Sequence, residues 1–378
     1  MTEEENNLAS PLVTSGLSKY MSFIYHRFIE VAVWTFAELG IADLIVQPIT
    51  AAQLCQLTGW NIEFVYRLLR TCANADIVKE EISDNDNQQQ SLEYTRYFQL
   101  TSSGLLLKSD HPTNARGIVR WSFGSLCKQS SMCLPQLIRD GYKHGHGAAQ
   151  ITGFPSIFEY LEQHENAEQL LIFNQTMSAY TIEAALIIAL AIDFSRFHTL
   201  VDIGGSFGIL LNEILKKHLK LNGILFDLSN VIDLAEKTNL FKHIDKQRYQ
   251  FVAGNMFETS TIPKSDSYIL KFILHDFDDE KAIEILKSIY NANREEKKII
   301  TLFIVEMIIL PTITNNLNHL ENWRTHGMDL HMLYMFGSKE RTQTQYEQLL
   351  RESGFDFKKL YYLSKGPYSV IEATATFA

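Results

Sequence analysis

The stretch from Thr199 to Asp227 constrains this chain more than any other. It opens with a short apolar run, Leu200 to Ile203, stopped by glycines, which predicts a buried parallel strand. Gly204, Gly205 and Gly208 form the turn after it. From Ile209 the apolar residues Leu210, Leu211, Ile214 and Leu215 recur at helical spacing, so the turn opens a helix. A second strand, Gly223 to Phe226, ends on Asp227. Strand, glycine turn, helix, strand and terminal acid make the unit that binds adenosine-containing ligands. The glycines admit the ligand to the backbone, and the acid accepts its ribose hydroxyls. An ordinary βαβ unit with a tight turn is the plainer alternative.

A dinucleotide fingerprint begins on glycine, but here Asp202 holds that place. An acid at the strand end repels a pyrophosphate and suits the ammonium and sulfonium charges of S-adenosylmethionine. Downstream, strands are expected at Tyr249–Ala253, Ser267–Leu274, Ile299–Leu310, Tyr361–Leu363 and Tyr368–Ala373, alternating with helices at Ala282–Asn293, Trp323–Met335 and Thr344–Ser353. That alternation predicts a Rossmann-like, doubly wound α/β sheet with ligands at the carboxyl ends of its strands.

The N-terminal part reads differently. Residues before Gly16 are expected to be unstructured, and two aromatic-rich helices to cover Leu17–Leu44, with Tyr20, Phe23, Tyr25, Phe28, Trp34 and Phe36. So much apolar surface suits a core or a subunit interface. Thr50 with Gln53 is a capping box for Ala51–Leu57, and Asn61 caps the next helix. Strands at Ile77–Ile82 and Tyr94–Leu100, joined by the polar run Ser83–Ser91, complete a winged helix. Its second helix carries only Arg67 and Arg70 beside Glu63, and the whole chain has a formal net charge of −10. Nucleic-acid affinity rests on clustered Lys and Arg, so protein contact is the expected role and nucleic acid is not a partner. The domains are placed at 15–112 and 113–378.

The acidic N-terminus has no leader-like apolar core, and the longest apolar run, Ala184–Ile192, is too short for a bilayer. Cys55, Cys72, Cys127 and Cys133 lack metal-site spacing. A cytoplasmic protein without a membrane partner is expected. His144 and His146, flanked by glycines, read as a solvated loop.

Three ionisable residues fall at the carboxyl edge of the sheet: His275, Glu306 and Glu340. His275, at a strand end, suits a backbone-bonding histidine as well as a catalytic one. Glu306 lies within Phe-Ile-Val-Glu-Met-Ile-Ile, where an unpaired carboxylate costs several kcal/mol, and an imidazole is its simplest partner. A histidine is the natural base for a phenol during methyl transfer, and a carboxylate on its other nitrogen would fix its tautomer. His326, Asp329 and His331 with His275 invite a metal reading, but His331 shares a helix face with Met335 and fits a substrate pocket better.

In order along the chain stand Phe158-Glu159-Tyr160-Leu161, Phe173-Asn174 with Met177-Ser178, Val201-Asp202-Ile203-Gly204-Gly205 and Phe226-Asp227-Leu228. They are followed by Gly254 with Met256-Phe257, Leu270-Lys271 with Leu274-His275-Asp276, Glu306 with Pro311, Asp329-Leu330 and Lys339-Glu340-Arg341-Thr342. This ordered set resembles the winged-helix-containing class I S-adenosylmethionine-dependent O-methyltransferases, among them caffeate, flavonoid and acetylserotonin O-methyltransferases and related bacterial enzymes.

The resemblance implies S-adenosyl-L-methionine as cofactor, S-adenosyl-L-homocysteine as product, a small hydroxylated substrate and a homodimer formed through the N-terminal domain. It implies that Gly204, Gly205 and Gly208 cradle the methionine portion, that Asp227 holds the ribose, and that Met256 and Phe257 flank the adenine. Asn255, Lys271 and Thr181 fall at further cofactor positions. His275 would be the general base, bracketed by Glu306 and Glu340. Phe173, Met177, Asp276, His331 and Met332 fall at substrate positions.

Two residues depart from the family pattern. Ser206 replaces a third glycine, tolerable if its φ is ordinary. Asn255 replaces an acid, and its side-chain oxygen still accepts a hydrogen bond. The expected function is O-methylation of a small aromatic hydroxyl. The alternatives are metal-assisted C-methylation of a keto acid and a non-catalytic, ligand-sensing regulator.

Overall fold

The structure is a computed structural model that describes residues 11–81, 96–296, 298–310, 319–363 and 366–377. The chain divides into two compact units, Met1–Ser125 and Leu126–Ala378.

In the first unit the opening helices are one long helix, Pro11–Glu38, and a single turn, Ile41–Leu44. Gly40, at φ 66°, separates them. Residues 11–15, expected to be unstructured, belong to the long helix; the first ten lie outside the described residues. Tyr20, Phe23, Tyr25 and Phe28 on this helix are 67%, 60%, 58% and 59% exposed, so within the chain they are not core. The capping box at Thr50 forms, with Gln53 N–H donating to its hydroxyl at 3.1 Å, and starts the helix Ala51–Thr58. Asn61 caps Ile62–Asn74.

Strands β1 (Ile49–Thr50), β2 (Val78–Glu81) and β3 (Tyr97–Leu100) form an antiparallel sheet in the order β1-β3-β2. Two-residue β1 is too short to show any alternation. The expected wing, Ser83–Ser91, lies outside the described residues. Phe36, Leu54, Leu69, Cys72 and Phe98 make the core. Arg67 is paired with Glu63 at 3.6 Å, and Arg70 lies over the Tyr66 ring.

The second unit is built on β4 (Thr199–Ile203), β5 (Asn222–Asp227), β6 (Tyr249–Ala253), β7 (Ser267–Lys271), β8 (Ile300–Ile309), β9 (Arg341–Thr342), β10 (Asp356–Tyr362) and β11 (Tyr368–Ala375). Their order is β10-β11-β8-β7-β4-β5-β6, with β9 added to the end of β8. The strands from β8 to β6 are parallel; β11 is antiparallel to β8 and β10.

Successive residues of each strand enter opposite cores, which is why these strands read as unbroken apolar runs. Val201, Ile203, Tyr268 and Leu270 pack with Ile285, Ile289 and Leu350 on one face. Leu200, Leu225, Ile269 and Phe303 pack with Ile188, Leu211 and Ile214 on the other. Strand β4 has β5 on one side and β7 on the other, so the crevice beyond its carboxyl end lies at the switch point of the sheet.

Among the described residues one helical stretch, His164–Ala191, is long and apolar enough to cross a membrane by length and composition, and half of its most apolar 18-residue window is buried in the protein. All four cysteines are free thiols. His146 is not a solvated loop residue. It is buried, its Nδ1 accepts the Ala149 N–H that opens the helix Gly147–Thr152, and its Nε2 lies 3.1 Å from the Pro155 carbonyl.

Candidate active site

The turn after β4 forms as its glycines require. Gly204, at φ 68°, donates its N–H to the Phe226 carbonyl, and an added Cβ would sit 2.5 Å from Ile273 Cδ1. Gly205 faces the Asp202 carboxylate, and Gly208, at φ 80°, opens the helix Ile209–Lys217. Ser206 does not have an ordinary φ. It stands at 51°, in the left-handed region that costs an L-residue about 1–2 kcal/mol. Its N–H donates to Asp227 Oδ2 at 2.8 Å, and its buried hydroxyl has no partner among the described residues. The other Asp227 oxygen accepts the Leu228 N–H at 2.7 Å. Each oxygen keeps a second lone pair for a ribose hydroxyl.

Asp202 is buried, and its Oδ2 has no hydrogen-bond partner among the described residues. Burial, with Asp227 adding repulsion, raises its carboxyl to about 7. A buried carboxylate with one oxygen lacking a partner among the described residues, beside a glycine-rich turn, fits a cationic ligand such as the amino-acid end of S-adenosylmethionine. Lys271 completes this group: burial pulls its amine down to about 8, while Glu306 and Asp202 oppose that shift from either side. Asn255 uses its side-chain oxygen to accept the Phe257 N–H at 3.1 Å, which orders the Met256–Phe257 loop. Thr181 bonds back to the Met177 carbonyl within its helix.

The loop after β7 departs from the expected long strand. The strand stops at Lys271, Phe272 takes φ 56°, and Leu274–Asp276 form one 3-10 turn. His275 therefore sits in a turn rather than at a strand end. Its Nδ1 lies 2.8 Å from Glu340 Oε1, a hydrogen bond, and 3.6 Å from Glu306 Oε2, which is not one.

Glu306 has partners other than the expected imidazole. Its Oε1 accepts the N–H groups of Ile273 and Leu274, at 3.2 and 3.0 Å, so it holds the loop while Glu340 holds the ring. The His275 Nε2 has Asp276 Oδ1 at 3.5 Å. Burial lowers the imidazole's pKa, and Glu306, Glu340 and Asp276 together outweigh it, leaving it near about 10. Burial pushes Glu306 and Asp276 up to about 7 each. With Nδ1 hydrogen-bonded to a carboxylate, Nε2 is the ring nitrogen left available to a ligand.

Sequence reasoning missed four supporting residues. Arg341, wholly buried, donates to Asp279 at 2.8 Å and to the carbonyls of Leu274 and Phe277 at 2.7 and 2.8 Å. It thus clamps both ends of the His275 turn from the residue next to Glu340. Asp329 accepts the Glu340 N–H at 2.9 Å. The Phe272 ring stacks on the imidazole, centroids 5.1 Å apart, with Lys271 Nζ 3.7 Å from its centre. Tyr334 bonds His331 Nδ1 at 2.9 Å. Arg341 and Asp329 left a sequence signal, within Lys-Glu-Arg-Thr and Asp-Leu, though neither was given its supporting role; Phe272 and Tyr334 left none.

Of the expected substrate residues, Phe173 packs edge-on to Phe158, which also meets Phe277 and Phe336; Phe336 meets His331. Phe173, Met177 and His331 are half-buried, whereas Met332 is buried and backs the wall. A metal set through His331 is not what the structure assembles. Among the described residues the only group with ligand atoms close enough for a cation is His275, Glu306 and Glu340, within 4.8 Å of one another.

A switch-point glycine turn with a buried acid, next to a carboxylate-held histidine, suits a methyltransferase using S-adenosylmethionine. A model of the O-methyltransferase domain matches residues 134–356, and one of the O-methyltransferase dimerisation domain matches 21–109. The chain is 30% identical to the phenazine O-methyltransferase PhzM of Lysobacter antibioticus over 98% of each chain. It is also 30% identical to tabersonine 16-O-methyltransferase of Catharanthus roseus, over 91% of this chain and 92% of the relative. The crystal structure of LaPhzM matches with a TM-score of 0.79 at 28% identity, covering 96% of this chain and 99% of that one. Human N-acetylserotonin methyltransferase, solved with S-adenosylmethionine, matches in fold with a TM-score of 0.78 at 20% identity over 100% of each chain. The protein belongs to the S-adenosylmethionine-dependent O-methyltransferase family and carries its dimerisation domain.

Proposed function

We propose that this enzyme methylates a hydroxyl of a small aromatic molecule, with His275 as general base. The observation that carries the reading is the His275–Glu340 bond of 2.8 Å, which leaves Nε2 to face a ligand. S-adenosylmethionine, when bound, supplies a methyl group on a sulfonium and leaves as the neutral thioether S-adenosylhomocysteine. His275 Nε2 takes the hydroxyl proton as the oxygen–methyl bond forms. Glu340 holds the imidazole tautomer and stabilises the imidazolium, and Glu306 holds the loop. Asp202 faces the ligand's ammonium, Asp227 its ribose, and Asn255, Met256 and Phe257 its base. The half-buried rings of Phe158, Phe173 and Phe277 favour a flat aromatic acceptor.

The exposed aromatic stripe on Pro11–Glu38 supports a homodimer through the N-terminal unit, and free thiols fit a reducing cytoplasm. His275→Ala tests the base. Turnover of phenolic acceptors should fall about 10²–10⁴-fold while S-adenosylhomocysteine affinity stays within about threefold; full retained turnover would remove His275 from the chemistry.

The His275, Glu306 and Glu340 cluster also favours one second reading, a cation-assisted C-methylation of a keto acid. Stoichiometric metal in purified protein, with activity lost to a chelator, would establish it in place of the first.

A further inference from the structure

We infer that His331 and Tyr334 form a hydrogen-bond-donating subsite, so that the methyl acceptor carries a neutral acceptor atom, a carbonyl oxygen or ring nitrogen, besides the hydroxyl. The inference rests on the aromatic-hydroxyl reading above and adds a requirement to it.

His331 and Tyr334 lie three residues apart on the helix His319–Met335, and their side chains meet on one face with Nδ1 2.9 Å from the phenol oxygen. Tyr334 brings one proton, and among the described residues its hydroxyl has no other hydrogen-bond partner. Burial pushes that phenol up to about 12, so it keeps the proton. Burial, helped by the nearby charge on His275, pulls His331 down to about 4, so the imidazole is neutral. A neutral imidazole has one donor and one acceptor nitrogen. In the inferred arrangement the phenol donates and Nδ1 accepts, which puts the imidazole proton on Nε2.

That Nε2–H has no partner among the described residues, and it is not among the buried polar atoms left unpaired. His331 is half-buried and packs against Phe336, whose ring meets Phe158; Phe158 in turn stacks near Phe277, two residues beyond His275. The donor therefore belongs to the same aromatic wall as the base. Two nearby nitrogens act oppositely: His275 takes a proton from the acceptor's hydroxyl, and His331 offers one without releasing it.

Two measurements test this. The first needs no substrate. In protein with selectively nitrogen-labelled histidine, His331 should show a proton on Nε2 and a bare Nδ1 from about pH 5 to 8. Tyr334→Phe should make the two tautomers mix. A proton on Nδ1 in the unmutated enzyme would overturn the subsite.

The second compares hydroxyquinolines with the naphthols of the same shape, which differ only by ring nitrogen for carbon, in binding to enzyme saturated with S-adenosylhomocysteine. At least one nitrogen position should bind about tenfold tighter than its naphthol, and His331→Leu should erase that advantage, so that each hydroxyquinoline binds no tighter than its own naphthol. Naphthols bound as tightly as every hydroxyquinoline isomer would overturn the subsite. If neither class bound, the aromatic-hydroxyl reading itself would fail, and the inferred acceptor requirement with it, while the tautomer measurement would still report on the pair.

Discussion

The turn after β4 and the turn after β7 leave neighbouring parallel strands at the same edge of one sheet, and they are built by opposite means. The first works by removing side chains. Gly204, Gly205 and Gly208 let the backbone fold tightly against Ile273, Asp202 and Phe241, which leaves a buried carboxylate facing open backbone. The second works by adding them. Phe272 is forced to φ 56°, and its turn is held by Glu306 from β8, Glu340 beside β9 and the Arg341 fork. A binding surface needs room for a ligand, whereas a base needs its ring held at a fixed angle and charge. Phe272 stores about 1–3 kcal/mol of backbone strain, and the surrounding bonds hold it there.

Breaking the second turn should have the largest effect. Arg341→Ala leaves two loop carbonyls without donors, while half-exposed Asp279 keeps Lys339, and should lower stability by about 2–4 kcal/mol in chemical denaturation. A loss under about 1 kcal/mol would mean that the loop stands without its clamp. Arg341→Lys keeps the charge but not the fork, and should recover part of the stability with turnover still reduced.

The next prediction concerns the first turn. Asp202 is raised to about 7, so below that pH the carboxyl is protonated and offers a ligand ammonium no charge. Affinity for S-adenosylhomocysteine should rise roughly tenfold as pH climbs through about 7, and Asp202→Asn should be weaker and flat. A wild-type affinity independent of pH would separate Asp202 from the ligand.

The smallest effect is at Ser206. Ser206→Gly removes both the left-handed strain and an unpartnered buried hydroxyl, and should raise stability by about 1 kcal/mol. Destabilisation instead would show that the hydroxyl has a use in the turn.

What could be read in advance follows the same division. The β4 turn was legible because glycines and a strand-end acid are local signals, and so were the buried strands, whose apolar runs need only length and bounding residues. Ser206's φ was not legible, because it is imposed by the turn's closure onto Asp227. The β7 turn was legible only as three ionisable residues with no stated geometry. The strand was expected to continue to Leu274, since Phe272 and Ile273 fit a strand pattern; the bonds from Glu306 end it earlier. Nor could Glu306 be assigned to the loop rather than the ring, because its partners are backbone N–H groups 32 and 33 residues away. The capped helices Ala51–Thr58 and Ile62–Asn74 were legible because each cap is satisfied within three residues.

If His275 is the proton-accepting group, as proposed, its carboxylates set its basicity. The linkage has a definite sign. An imidazole raised to about 10 is charged at neutral pH and becomes a base only as pH rises, so kcat/KM should climb on the alkaline side. Removing the charge of Glu340 lowers that pKa and moves the climb to lower pH. The most direct measurement is therefore the titration of His275 by histidine-selective NMR, alongside the pH profile of kcat/KM, in the wild type and in Glu340→Gln. Both midpoints should lie well above about 6.5 in the wild type and fall together in the variant. A histidine midpoint that moves while the rate profile stays in place would contradict the account, because the proton that limits methyl transfer would then belong to another group.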